Sequence, residues 1–313
     1  MGRSGHEFGL RALVLVILVQ ACMGGRRLTA LVQQPPLVLN YHNGALLKGD
    51  LTISLVWYGK FSPSQHAIIT DFLQSLVPTS KATALAPSVS SWWGTLHKYT
   101  PAAKAGDAKG VVQLGTQIMD EAYSMGRSLE RAAIPKLAAK GSGTANIVLV
   151  FTAADVTVEG FCMSSCGFHG SDVSQVGKGK YAYIWVGNSE TQCPGQCAWP
   201  FHQPIFGPQT PPLIAPNGDV AVDGMVINLA SLLAGTATNP FGDGYYQGPA
   251  SAPLEAASAC PGIYGKGAYP GYAGDLLVDK VSGASYNANG VNGRKYVLPA
   301  LWDPQTNSCS TLV

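Results

Sequence analysis

The chain has 313 residues, with 20 Lys plus Arg against 18 Asp plus Glu and a net charge of +2. A surface for polyphosphates is therefore not indicated, and no nucleic-acid partner is expected. Charged residues make up 12% of the chain, against roughly 25% in an average soluble domain, and 37 Gly with 21 Pro punctuate it, which excludes a coiled coil and a long helical bundle.

Arg3 and Arg11 precede an apolar run from Ala12 to Val19, the length of a signal-peptide core and too short to span a bilayer. Small residues at Ala21, Gly24 and Ala30 offer processing points. The expectation is a signal peptide over 1–30, cleaved between about 21 and 30, and an extracellular domain over 31–313 without stable membrane insertion. Past a spacer around Pro35 and Pro36, Leu51 to Tyr58 reads as a strand closed by Gly59. Ser62 then caps a helix with Pro63 at its first position and Ile68, Ile69, Phe72, Leu73 and Leu76 at helical spacing. A second helix is expected from Ser88 to Tyr99, with Val89, Trp92, Trp93 and Leu96 in one apolar stripe.

Gly110 to Leu114 reads as a short strand, and Leu129 to Lys140 as a helix that Pro135 kinks or shortens. Asn146 to Phe151 gives the strongest strand signal, a continuous apolar run suited to burial on both faces, and Tyr181 to Val186 gives another. Trp199 to Pro216 is too rich in proline for a regular element, so it is an ordered loop if cysteines hold it. Asp223 to Thr238 reads as a buried helix ended by Asn239-Pro240, with Met225, Leu229, Leu232 and Leu233 toward the core. Phe241 to Val313, with turn dipeptides at Asn289-Gly290 and Asn292-Gly293, reads as loops and short strands. The fold class is mixed α and β: one disulfide-stapled domain with a central sheet flanked by helices.

Loss of the leader removes Cys22 and leaves Cys162, Cys166, Cys193, Cys197, Cys260 and Cys309. In an exported chain these predict three disulfides of open connectivity, the first four lying in loops at strand ends. The two C-x-x-x-C pairs, Cys162/Cys166 and Cys193/Cys197, are also a conceivable zinc set, which export disfavours. No standard N-x-[ST] acceptor is present, so glycosylation should be light or absent.

The chain has no G-x-S-x-G elbow, no G-x-x-x-x-G-K-[ST] loop and no H-E-x-x-H helix. No catalytic residue, metal ligand or cofactor is therefore assigned. Of the histidines, His169 and His202 each follow a cysteine pair in a loop and are candidates for ligand contact, converging with Asp172 or Asp219. Among the aromatics, Trp57, Trp92, Trp93 and Trp185 read as core. Trp199, Tyr245 and Tyr246 lie in loops and are the better candidates for sugar-stacking platforms.

Several separated segments resemble one family. Val56-Trp57-Tyr58-Gly59, Ser90-Ser91-Trp92-Trp93, the Cys162/Cys166 and Cys193/Cys197 loops, and the stretch Asn228 to Tyr246 are similar to the EXORDIUM-like, phosphate-induced family of plant extracellular proteins, from about Leu39 to Val313. The resemblance implies a secreted protein of the apoplast or cell wall, linked to brassinosteroid-responsive growth and to cell expansion, with no known reaction. Its partner would be a wall polysaccharide or a cell-surface protein. Ser231 to Pro240 also looks similar to the H-E-L-A-E-x-x-T-[DN]-P helix of some secreted zinc-peptidase-like proteins, with Ser231, Leu232 and Gly235 where that pattern carries His, Glu and Glu. That likeness implies a degenerate zinc-peptidase-like scaffold, since Leu and Gly supply neither a ligand nor a general base. The alternative function is an apoplastic hydrolase or residual metalloprotein with an unrecognised site.

Overall fold

The structure is a computed structural model and describes residues 36–77, 85–99, 111–163, 165–174 and 179–313. The expected leader lies outside the described residues, as does Gly110. Residues Leu37–Val313 cluster as one compact unit. The frame of that unit is a five-stranded sheet of β1 (Leu51–Tyr58), β2 (Val112–Asp120), β3 (Ile147–Thr152), β4 (Gly167–Val173) and β5 (Lys180–Gly187), in the order β2-β1-β3-β5-β4. The first four in that order run parallel, and β4 closes the edge antiparallel to β5. Every residue of β3 is buried, as a continuous apolar run at the centre of a sheet covered on both faces requires.

Among the described residues, five α-helices accompany the sheet: α1 (Pro63–Gln74), α2 (Val89–Gly94, continued by a 3₁₀ turn over Thr95–Tyr99), α3 (Ala133–Gly141), α4 (Pro194–Cys197) and α5 (Val220–Thr238). Ser62 and Ser88 each close a reciprocal capping box, with Gln65 and Ser91, so both helices begin at residues whose side chains satisfy the first free amides. The helix expected from Leu129 begins instead at Ala133, and Leu129 joins a two-residue strand paired with Thr157–Val158. Pro135 then falls in the first turn, where a missing N–H costs nothing, so it neither kinks nor breaks the helix. The short strand expected at 110–114 runs on to Asp120. Its polar, glycine-containing second half is an edge strand with one face in water.

Strand β4, with its sequence GFHGSDV, is the one strand of this sheet that the sequence does not announce. Two glycines and a polar end disguise an edge strand as a loop. Register places Leu55, Leu149, Ile184 and His169 in one row across the sheet, on the face that α5 covers. Helix α5 starts three residues earlier than expected because Asp219 caps it, its Oδ1 accepting from the Val222 amide at 2.9 Å. Its 19 residues are long and apolar enough to cross a membrane, yet 78% of its most apolar stretch is buried in the fold, as a core helix requires. Met225, Leu229 and Leu233 are in the core and Leu232 is half-buried.

The C-terminal third consists of loops and two-stranded pieces, as expected, and packs back on the helices. Trp92 Nε1 donates to the Pro299 carbonyl at 2.8 Å, Tyr296 Oη to that of Ile68 at 3.0 Å, and Arg294 Nε to Asp71 Oδ2 at 3.0 Å. Three disulfides staple the fold: Cys162–Cys193, Cys166–Cys197 and Cys260–Cys309. The two C-x-x-x-C pairs therefore bridge each other, joining the entry to β4 to helix α4. Trp57, Trp92 and Trp185 are buried, and Trp93 is partly buried against the same core.

Candidate functional site

The chain leaving α4 enters the proline-rich segment that the crossed disulfides hold at its start. The segment is ordered by its own backbone. The Phe201 amide donates to the Ala198 carbonyl at 2.8 Å, the Ile205 amide to Gly195 at 3.2 Å, and the Leu213 amide to Pro200 at 2.9 Å. Gln209 Nε2 donates to the carbonyls of Pro204 and Gly207, which fixes the tip of the loop. Phe201 is buried in a small separate core with Ala215, Ile227, Tyr264, Ala273 and Val297, so the loop rests on α5 and on the C-terminal third.

Between this loop and residues 261–271 lies an open cleft of about 520 Å³. Its lining is aromatic, prolyl and glycyl, with Trp199, Phe206 and Tyr269 as the large rings. Trp199 packs against Tyr264, ring centroids 5.5 Å apart, and Tyr269 against Tyr272 at 5.1 Å. Tyr272 Oη donates to Asp275 Oδ1 at 2.6 Å, which orients the second ring of that pair. Phe206 is 87% exposed and Tyr269 64% exposed, so both rings are open to solvent. Gly271 closes the far wall at a φ of +89°, and a Cβ there would stand 2.5 Å from Pro208, so only glycine lets the two loops approach this closely.

A pocket of about 80 Å³ adjoins the cleft and shares Trp199 and Gly271 with it. A third, of about 390 Å³, shares His202 with the second and contains Glu190 and Asp219. The sequence pairing of His202 with Asp219 is thus present as two walls of one pocket. Asp219 is occupied there, capping α5 and accepting from Gln65 Nε2 at 3.1 Å. A further pocket, between Lys48, Trp93 and Ala237, holds about 50 Å³, room for little more than water.

The model of the phosphate-induced protein 1 conserved region matches residues 39–312. The chain belongs to the EXORDIUM-like, phosphate-induced family. Protein PHOSPHATE-INDUCED 1 of Nicotiana tabacum is 60% identical over 98% of this chain and 99% of that protein. Protein EXORDIUM-like 1 of Arabidopsis thaliana is 63% identical, over 87% of this chain and 89% of its own length, and Protein EXORDIUM of the same plant is 58% identical over 97% and 98%. None of these three names states a reaction. No solved structure matches the chain.

The other sequence candidates of this EXORDIUM-like chain lie elsewhere. His169 is in strand β4, not in a loop, and meets neither Asp172 nor Asp219. Its Nε2 is 2.8 Å from Oε2 of Glu255, a residue the sequence reading did not single out. Glu255 Oε1 in turn accepts from Asn239 Nδ2 at 2.7 Å, and Asn239 Oδ1 accepts from the Gly244 amide at 2.8 Å. Tyr245 and Tyr246 are likewise not loop platforms. They form a strand paired with Asn40–Tyr41 and are half-buried. Tyr41 stacks on Tyr245 at 4.7 Å and His42 on Tyr246 at 3.8 Å, so these rings are used internally.

On α5, Ser231 Oγ donates to the Ile227 carbonyl at 3.0 Å, Leu232 Cδ1 lies beside Gly167, and Gly235 faces the Glu255 carboxylate. Among the described residues, no three His, Cys, Asp or Glu side chains gather as a metal-ligand set. Phe206 and Tyr269 were missed because single aromatics in Gly- and Pro-rich loops carry no periodic signal. An aromatic residue amid a proline cluster is the hint the sequence holds.

Proposed function

We propose that this EXORDIUM-like chain is a secreted, non-catalytic protein of the plant apoplast and cell wall. In this reading it promotes brassinosteroid-responsive growth and cell expansion by binding a wall polymer. The observation that carries the reading is the open aromatic cleft formed by Trp199, Phe206 and Tyr269. Exposed rings held on a disulfide-anchored loop and on the segment facing it form a preorganised platform, and burying them against a ligand costs little side-chain entropy. The three disulfides support export, because such cross-links persist in oxidising compartments.

The test is retention of the purified mature protein on cellulose, xyloglucan, pectin and intact plant cell surfaces. Retention that falls in a Phe206→Ala/Tyr269→Ala variant supports the reading. A protein that stays wholly unbound across that panel contradicts it. Release of reducing sugar from any of these polymers would favour the apoplastic hydrolase instead.

A further inference from the structure

Resting on the wall-polymer reading of the cleft, we infer that it takes a neutral glycan and discriminates against uronate polymers. The cleft, the small pocket and the Glu190/Asp219 pocket adjoin in series through the shared residues Trp199, Gly271 and His202. Among the described residues lining all three, there is no lysine or arginine. A polymer carrying one carboxylate per sugar finds no lysine or arginine along this path, and at its polar end it meets the carboxylates of Glu190 and Asp219. Like charges brought within a few ångströms at a protein surface repel by an amount that rises steeply as water is displaced.

The same features suit a neutral chain. Pyranose rings present C–H faces that lie against Trp199, Phe206 and Tyr269, while their hydroxyls point outward as donors. Carboxylates only accept hydrogen bonds, and the exposed Glu190 faces solvent in the third pocket, where sugar hydroxyls can donate to it. A proline-rich peptide, the other polymer that docks in aromatic grooves, offers carbonyl acceptors and few N–H donors, so it has little to give that carboxylate end. The chemistry of the two ends together selects a polyhydroxylated, uncharged ligand.

The experiment is affinity electrophoresis of the wild type, Phe206→Ala/Tyr269→Ala and Glu190→Lys in gels containing xyloglucan, mixed-linkage glucan, polygalacturonate or poly-L-proline, at low and at raised salt. The expected result is retardation of the wild type by at least one neutral glucan, unchanged by salt and weakened about tenfold or more in the double variant. Polygalacturonate should retard only Glu190→Lys, and raised salt should abolish that. Preferential retardation of the wild type by polygalacturonate, lost in the double variant, would overturn the neutral-glycan inference and leave the wall-polymer reading standing. Retardation by poly-L-proline alone, by no polymer, or by a polymer that binds wild type and double variant equally would overturn both.

Discussion

A Cβ on Gly235 would stand 2.4 Å from Oε2 of Glu255, at the position where the zinc-peptidase-like pattern carries a glutamate. The carboxylate beside that turn of α5 therefore arrives from the C-terminal third of the chain. It is held there by His169 from the edge strand and Asn239 from the helix end. One buried acid thus joins three separate parts of the fold.

Gly235→Ala should consequently destabilise the protein although alanine is the better helix former. The added methyl must displace a carboxylate that is not free to swing, because moving it breaks its bonds to His169 and Asn239. The expected loss is about 1–3 kcal/mol, read as a lower midpoint in denaturant unfolding. An unchanged or raised midpoint would show that Glu255 yields at no cost.

Glu255→Gln should be milder than Glu255→Ala. Glutamine still accepts from Asn239 and can donate to His169, whereas alanine leaves the buried Asn239 amide and the half-buried His169 without that partner. The alanine variant should lose about 2–4 kcal/mol and the glutamine variant about half of that or less. Equal losses in thermal unfolding would deny the polar triad its structural role.

Asp223 sets a pH dependence. Burial in the first turn of α5 pushes its carboxyl up to about 7, against the two bonds it accepts from Asn217. The unfolded chain releases that proton at about pH 4. Between these values the folded state holds more protons, so this group's stabilisation is present at low pH and is lost as pH rises toward and through about 7. Unfolding measured at pH 5 and pH 8 should show a falling stability whose slope flattens in Asp223→Asn. An identical slope in that variant would assign the dependence elsewhere.

The crossed disulfides should be strongly non-additive. Cys162–Cys193 and Cys166–Cys197 both have a sequence separation of 31 and close nearly the same loop. A first cross-link across such a loop contributes about 3–4 kcal/mol through the unfolded state, and a second beside it closes only a short ring. Replacing either pair by serine should cost less than half of what replacing both costs, in chemical denaturation under non-reducing conditions.

What could be read in the sequence divides along physical lines. The strands β1, β3 and β5 and the helices α1, α2 and α5 announce themselves because their burial is continuous or periodic, and capping serines mark two of the starts. Six cysteines signal three bridges, but spacing is silent on which half-cystine meets which. Strand β4 escaped because an edge strand needs no apolar face, and with it went the position of His169. The cleft was legible only through Trp199. Phe206 and Tyr269 are 63 positions apart in number and line one cleft because the disulfide-anchored loop folds against residues 261–271.

Phe206, exposed and touching little, is dispensable to the fold in this account, so Phe206→Ala should change unfolding stability by less than about 0.5 kcal/mol. That separation of folding from binding makes the decisive measurement possible. Xyloglucan and mixed-linkage glucan oligosaccharides would be titrated calorimetrically into the wild type and into Phe206→Ala/Tyr269→Ala, both shown to be folded. Saturable binding of at least one of them by the wild type is expected, with a loss of about tenfold or more in the variant. Wild-type protein that binds neither, or a variant that binds as well as the wild type, would contradict it.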